Sequence, residues 1–428
     1  MSVARTPEVS PDVDGIDLSD LDWWIRPLDE RAAAFAVLRT QRPIAPMVVE
    51  PLPHLGLPET EYWAVTRHAD VVDASRQPQL FCSGQGTNIV DMPVPFLEFF
   101  GSMINMDDPR HGRLRRIVSR RFTPRYLESL RADVEGIAAE IVDEMAGQGE
   151  CDFVTEVAAR LPLRVIVDLM GIPRSDEQFI FDRTNVILGF TDPEYVADIE
   201  DPPMVTAAIL TAGQDLATMV REMAEDRLRN PQEDLVTALV TSDIDGEHLT
   251  PEELASFFIL LVVAGNETTR NAIAHGLWML TEHPDQKARW LDDPAGIGPT
   301  AVEEIVRLAS PVIHFRRTVT EDGARLGDQE FSAGEKVVLY YWAANRDPEV
   351  FDDPLRFDVG RTPNDHLGFG GPGPHYCLGA HLARREIGVM FGELLRRLPD
   401  IHAAGEPDRL RSNFINGIKH LPAEWTPA

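Results

Sequence analysis

The sequence predicts a mainly α fold with a small β-rich region, arranged as a single large domain around one long central helix. Three features of the 428-residue chain predict it. From Pro109 onward apolar residues recur at helical spacing between short turns, while alternating β-branched and aromatic runs are few and short. One helical pattern continues far longer than the others. No linker, internal repeat or low-complexity tract divides the chain.

Taken in order, residues 1–20 are acidic and proline-containing, and are expected to be a flexible lead-in to a domain spanning 21–428. They lack the basic and apolar stretches of a secretion signal, so the protein is expected to be cytoplasmic. Tyr62 to Arg67 and Lys336 to Trp342 are the best strand candidates. His111 and Arg115 lie one turn apart on the helix after Pro109, spaced to meet one anionic group. Arg113, Arg116 and Arg120 recur on the same helix as a basic stripe. The long helix starts at Thr250-Pro251-Glu252-Glu253, a capping box with proline at the first helical position, and runs to His283-Pro284. That is about 33 residues, or about 50 Å of helix. Its middle, Phe257 to Ala264, is apolar on every face and must cross the core. Glu304 and Arg307 share one face of a later helix, a spacing that by itself reads as a surface ion pair. A last helical pattern covers Leu378 to Arg396.

Composition excludes several functions. The formal charge is -30 and lysine occurs only at Lys287, Lys336 and Lys419, which argues against a nucleic-acid partner. The longest apolar run, Phe257 to Gly265, is far shorter than the ~20 residues of a membrane span, so no membrane anchor is expected. Cys82, Cys151 and Cys377 are odd in number and widely spaced, which supports neither a disulfide framework nor a structural zinc site.

Two stretches carry chemistry. In Gly368-Phe369-Gly370-Gly371-Pro372-Gly373-Pro374-His375-Tyr376-Cys377-Leu378-Gly379-Ala380 the cysteine sits at a helix N-terminus, where free amides and the macrodipole favour thiolate. Its glycines let the backbone approach the sulfur and a flat ligand. Alone, the segment also reads as a tight turn before a helix with a structural cysteine. The second stretch, Ala264-Gly265-Asn266-Glu267-Thr268-Thr269, puts an acid and an alcohol inside an apolar helix. Burying them costs several kcal/mol unless each is hydrogen-bonded, so packing does not explain the pair. Gly265 and a Thr268 hydroxyl turned back to the carbonyl four residues earlier are expected to open the helix to water, making a proton relay.

Together, in this order and spacing, these stretches resemble the cytochrome P450 family over nearly the whole chain. The Cys377 segment resembles its haem-binding loop, Glu267-Thr268 its oxygen-activating helix, and Glu304 with Arg307 its E-x-x-R motif. Arg356 falls where the family usually completes a buried triad. One departure stands out: Phe369 precedes Cys377 by eight residues where the common pattern has seven.

The resemblance implies a cytochrome P450 fold with the long helix lying over a haem b whose axial ligand is the Cys377 thiolate. It implies dioxygen as co-substrate and electrons drawn ultimately from NAD(P)H. No flavin, nicotinamide or iron–sulfur motif is present, so a separate ferredoxin and ferredoxin reductase are implied, with the Arg113, Arg116 and Arg120 stripe as their docking face. Haem propionates would meet His111, Arg115, Arg317 and His375, and Ala264, Gly265, Phe369, Gly370 and Gly379 would border the macrocycle. Thr268 would hold a water beside the reacting oxygen while Glu267 links it to solvent. Phe100, Val263, Ala264, Thr268, Val312 and Phe414 would line an apolar pocket for a small hydrophobic substrate. Stretches such as Phe100-Gly101-Ser102-Met103 and Ser412 to Lys419 look like actinobacterial, especially mycobacterial, enzymes that hydroxylate terminal methyls of methyl-branched lipids or sterol side chains. Peroxide-driven haem-thiolate chemistry and non-catalytic haem or lipid binding are the rival readings.

Overall fold

Thr250 caps the long helix as its sequence requires. Its hydroxyl accepts from the Glu253 amide while the Glu253 carboxylate accepts from the Thr250 amide, with Pro251 at the first helical position. The helix then runs 32 residues, Pro251–Glu282, without a break. The expected opening at Gly265 is not seen: the Thr268 hydroxyl bonds the Ala264 carbonyl at 2.8 Å inside a continuous helix.

The computed structural model describes residues 13–50, 59–92, 94–119, 122–123, 126, 128, 130–196, 201–242, 246 and 248–428. Among them twelve helices have eight residues or more. They are α1 (Leu28–Gln41), α2 (His68–Arg76), α3 (Val94–Gly101), α4 (Arg110–Ser119), α5 (Arg131–Ala146), α6 (Arg160–Met170), α7 (Glu177–Leu188), α8 (Pro202–Arg229), α9 (Pro251–Glu282), α10 (Pro284–Asp292), α11 (Pro294–Ala309) and α12 (Ala380–Arg397). The long helix is α9, and α3, α6, α8, α11 and α12 all pack on it.

Its two halves serve two apolar cores. Leu254 to Val263 pack with α6, α7 and α8, whereas Ala272 to Leu280 pack with α5, α11 and α12. The polar segment Asn266 to Asn271 lies between them. No described helix is long and apolar enough to cross a membrane.

The β-rich region is a five-stranded sheet of β1 (Ile44–Val49), β2 (Thr60–Val65), β3 (Phe81–Cys82), β4 (His314–Val319) and β5 (Lys336–Tyr340), in the order β1-β2-β5-β4-β3. Both sequence-predicted strands are present, and they pair in parallel with Trp63 opposite Val337. Each ends earlier than expected, the second because Tyr341 and Trp342 turn into a short helix, Tyr341–Ala344. One face of the sheet carries an aromatic cluster of Trp23, Trp24, Phe35, Tyr340 and Trp342. Ile16 and Leu18 are buried in the same cluster, so the packed chain begins before the expected boundary at residue 20. Residues 1–12 lie outside the described part.

Candidate functional site

Cys377 stands just ahead of α12, with Gly379 as the N-cap and no side chain capping the helix. The free amides of Gly379 and Ala380 therefore turn to the sulfur. Burial pushes the thiol pKa up, and these amides together with Arg115 and Arg384 oppose that shift. The contrast with Cys151 is informative: burial beside Glu156 and Asp152 pushes that thiol up to about 12, with nothing to favour the anion. Cys377 is the one described cysteine surrounded by cationic side chains and helix-end amides.

The glycine-rich loop is shaped mainly by packing. A Cβ at Gly368 would strike Val306 of α11, and one at Gly371 or Gly373 would strike Ser75 of α2. These three glycines thus seat the loop against its neighbours and are not the ones that leave room for a ligand. Gly379 has open space around its would-be Cβ. Gly370 adopts φ +87°, a region an L-residue avoids, which turns the chain so that the Cys377 amide donates to the Phe369 carbonyl at 3.0 Å. The Phe369 ring lies under the Arg384 guanidinium, 4.3 Å from centroid, and beside His366.

Four cationic or potentially cationic groups converge beside this loop. His111 and His375 have ring centroids 4.2 Å apart. Arg115 donates to the Tyr376 carbonyl at 2.6 Å, and Arg317 to the Arg316 carbonyl at 2.8 Å. Desolvation, then Arg317, His111 and Arg115, lower the His375 pKa to about 2, so its ring stays neutral. Neither Arg115 nor Arg317 has a carboxylate partner among the described residues, and His111 Nε2 is buried without a hydrogen bond. The acid beside this donor set is Asp108, exposed and 3.8 Å from His111 Nδ1, so a buried pair of carboxylates is what the two arginines fit.

A second partly accessible surface lies on α9. From Phe257 to Leu277 its residues are buried except Leu261, Ala264, Gly265 and Thr268, which recur at helical spacing as a single partly accessible stripe. Cys377 is likewise accessible to water-sized contact although it is deep in the protein. The small side chains of Ala264 and Gly265 leave the stripe flat; a Cβ at Gly265 would meet only Ile166. A planar macrocycle ligated by Cys377 would cover these surfaces, so the residues present fit a haem.

Glu267 points elsewhere. It is 1% exposed, and its Oε1 accepts from Arg270 and, at 3.0 Å, from Asn271. Arg270 also donates to Asn185 of α7 at 2.9 Å. Sequence reasoning missed both partners, although Arg270 stands three residues on, the spacing used for Glu304 and Arg307.

Glu304 and Arg307 are fully buried and joined by two parallel bonds of 2.7 and 2.8 Å. The expected third member is corrected. Arg361, not Arg356, closes the triad, with Nε 3.1 Å from both Glu304 oxygens. The Arg356 side chain is exposed, and only its carbonyl takes part, accepting from Arg307 and Arg361. Next to it Glu303 holds both Arg384 and His366, and these partners hold its pKa down at about 2. That pair joins α11 to α12 beside Cys377.

The expected pocket residues fall into two groups. Phe100, Val263 and Ala264 belong to one apolar cluster, in which Phe99 and Phe100 meet edge to face at 4.9 Å. Val312 bridges Ile415, and Phe414 packs on His314 and Phe315. The basic stripe is altered: Arg113 is engaged by Glu253 of α9 at 2.7 Å and by the His248 carbonyl. Arg116 is exposed, and Arg120 lies outside the described residues.

Comparison with known proteins agrees with this geometry. Residues 299–413 match the family described as Cytochrome P450. Over 427 residues the chain is 49% identical to a methyl-branched lipid omega-hydroxylase of Mycobacterium tuberculosis (strain CDC 1551 / Oshkosh), covering 99% of this chain and 98% of the relative. It is 40% identical to a steroid C26-monooxygenase of Rhodococcus jostii (strain RHA1), covering 97% and 86%. The solved structure of Mycobacterium marinum cytochrome P450 CYP268A2 in complex with pseudoionone superposes with a TM-score of 0.89 at 41% identity, covering 97% of this chain and 100% of that one.

Proposed function

The chain belongs to the cytochrome P450 family, and from that premise we propose that it hydroxylates a terminal methyl of a methyl-branched lipid, a branched fatty acid or an isoprenoid, with haem b held on the Cys377 thiolate. The observation that carries the substrate class is the 49% identity, end to end, to a methyl-branched lipid omega-hydroxylase. The 40% identity to a steroid C26-monooxygenase makes a sterol side chain the second reading.

Cys377 would ligate the iron as thiolate, a form that the Gly379 and Ala380 amides, Arg115 and Arg384 favour against burial. When bound, the haem supplies dioxygen activation, the thiolate pushing electron density towards cleavage of the O–O bond, for which this family is the standard instance. His111, Arg115, Arg317 and His375 would hold the propionates. Ala264, Gly265, Phe369, Gly370 and Gly379 would border the ring. Thr268, on the accessible stripe of α9, would hold a water, and Glu267 would link that water to solvent. Phe100, Val263, Ala264, Val312 and Phe414 would exclude water and bind the alkyl chain.

Electrons would come from NAD(P)H through a reductase and a ferredoxin docking on α4. The basic stripe of Arg113, Arg116 and Arg120 would face an acidic partner there, with Arg113 also held by Glu253.

The test is a spectral-shift titration with branched fatty acids, isoprenoids and sterols, followed by product analysis. Terminal alcohols from branched lipids, with tighter binding than any sterol, are the expected result. Tighter binding and turnover of a sterol would favour the second reading. Thr268→Ala is expected to lower product per reductant consumed by about tenfold or more; full coupling would remove the relay. Arg116→Glu is expected to slow ferredoxin-supported turnover and spare peroxide-supported turnover.

A further inference from the structure

One buried acid in the core is left only half explained by the relay. Glu267 Oε1 takes two donors, Arg270 and Asn271, while Oε2 is shut off from solvent and has no partner in the protein. Arg270 is itself 2% exposed, and its other guanidinium nitrogen reaches Asn185 of α7 at 2.9 Å. The ring of Phe181, also on α7, lies 5.6 Å below the guanidinium carbon. One planar fork thus joins the acid on α9 to the helix above it. Tyr195, from the stretch after α7, is a titratable group that also faces the pair, and burial pushes its phenol up, out of play.

We propose that Arg270 is the positioning residue of Glu267: it holds Oε1 and leaves Oε2 unpaired for the relay, and through Asn185 it makes that arrangement depend on the placement of α7. The proposal rests on the relay reading of Glu267 and Thr268. Its physical basis is asymmetric. A buried carboxylate that loses its guanidinium takes up a proton instead of staying charged. Lysine could restore the charge but not the two-ended fork.

The experiment uses the haem-loaded enzyme with a surrogate ferredoxin, its reductase, NADPH and a terminally methyl-branched hexadecanoic acid. Infrared difference spectra read the protonation of Glu267 independently of turnover. Arg270→Gln is expected to show a protonated-carboxyl band at neutral pH that wild type lacks and that vanishes in the double variant with Glu267→Gln. Its ratio of product to reductant should fall about tenfold or more. Arg270→Lys should lack the band. Asn185→Leu should also lack it, yet lose severalfold in coupling, and unchanged coupling there would overturn the tie to α7. Arg270→Gln with neither band nor loss of coupling would overturn the proposal even if Glu267→Gln is uncoupled. A fully coupled Glu267→Gln would instead remove the relay and this proposal with it.

Discussion

Both ring nitrogens of His314 are buried without a hydrogen-bond partner, between Tyr340 and Phe414. Desolvation alone lowers its pKa to about 3, so the folded protein keeps the ring neutral. The unfolded chain protonates near the ordinary value of 6.5. Between those values the unfolded state binds more protons, and stability is lost as pH falls below 6.5. His314→Phe removes this titration while keeping an aromatic ring in contact with its neighbours. Denaturant unfolding at pH 7 and pH 5 should show the variant gaining on wild type by about 1.4 kcal/mol for each pH unit below 6.5; parallel curves would mean the ring has a proton-accepting partner. Nothing in Val312-Ile313-His314-Phe315 announces this burial, because a strand alternates its faces and the sequence does not say that both faces are covered. Glu267 and Thr268 were legible for the opposite reason. Polar side chains inside an apolar helix are costly enough to be noticed from the pattern alone.

Elements are joined by contacts that local spacing reveals only in part. The Glu304–Arg307 pair was legible because both residues share a turn of α11; its third partner was not, since it lies 57 positions away along the chain. Arg356 and Arg361 stand five residues apart in an irregular stretch, where no helical or strand period says which side chain turns inward. Arg361 does, donating to Glu304 and to the carbonyls of Asp352, Asp353 and Arg356. Breaking a buried charge pair leaves an uncompensated carboxylate. Arg361→Ala should therefore cost about 3 kcal/mol or more and reduce haem retention, while Arg356→Ala should stay within about 0.5 kcal/mol of wild type. Thermal unfolding of the two variants side by side checks this, and equal losses would return Arg356 to the triad. The capping box of α9 was readable to the residue, for the reason that both of its hydrogen bonds are local.

At the scale of the molecule the helical part of the fold is two apolar cores threaded by α9 and joined at a polar seam. Asn271 holds the Ile418 amide at 3.0 Å, His275 meets the Asn416 carbonyl at 3.0 Å, and Glu386 of α12 bonds Thr269. Helical periodicity made the helices and the long axis of this arrangement legible, but the seam pairs residues more than 100 positions apart, which no local pattern encodes. Glu386 carries the sharpest consequence. Burial pushes its carboxyl up to about 8 from an ordinary 4.5, against the smaller pull of the Thr269 hydrogen bond. The folded protein thus holds a proton that the unfolded chain releases between those values. There the native state binds more protons, so this group makes stability fall as pH rises from 4.5 to 8, levelling off above. Glu386→Gln keeps the shape and a donor towards Thr269 without the titration. Its stability relative to wild type should grow by about 1.4 kcal/mol per pH unit across that window, measured by denaturant unfolding at pH 5.5 and 7.5. A difference that does not change with pH would mean that Glu386 is ionised in the folded protein, and that the seam contains a cation or an ordered water shell able to hold it so.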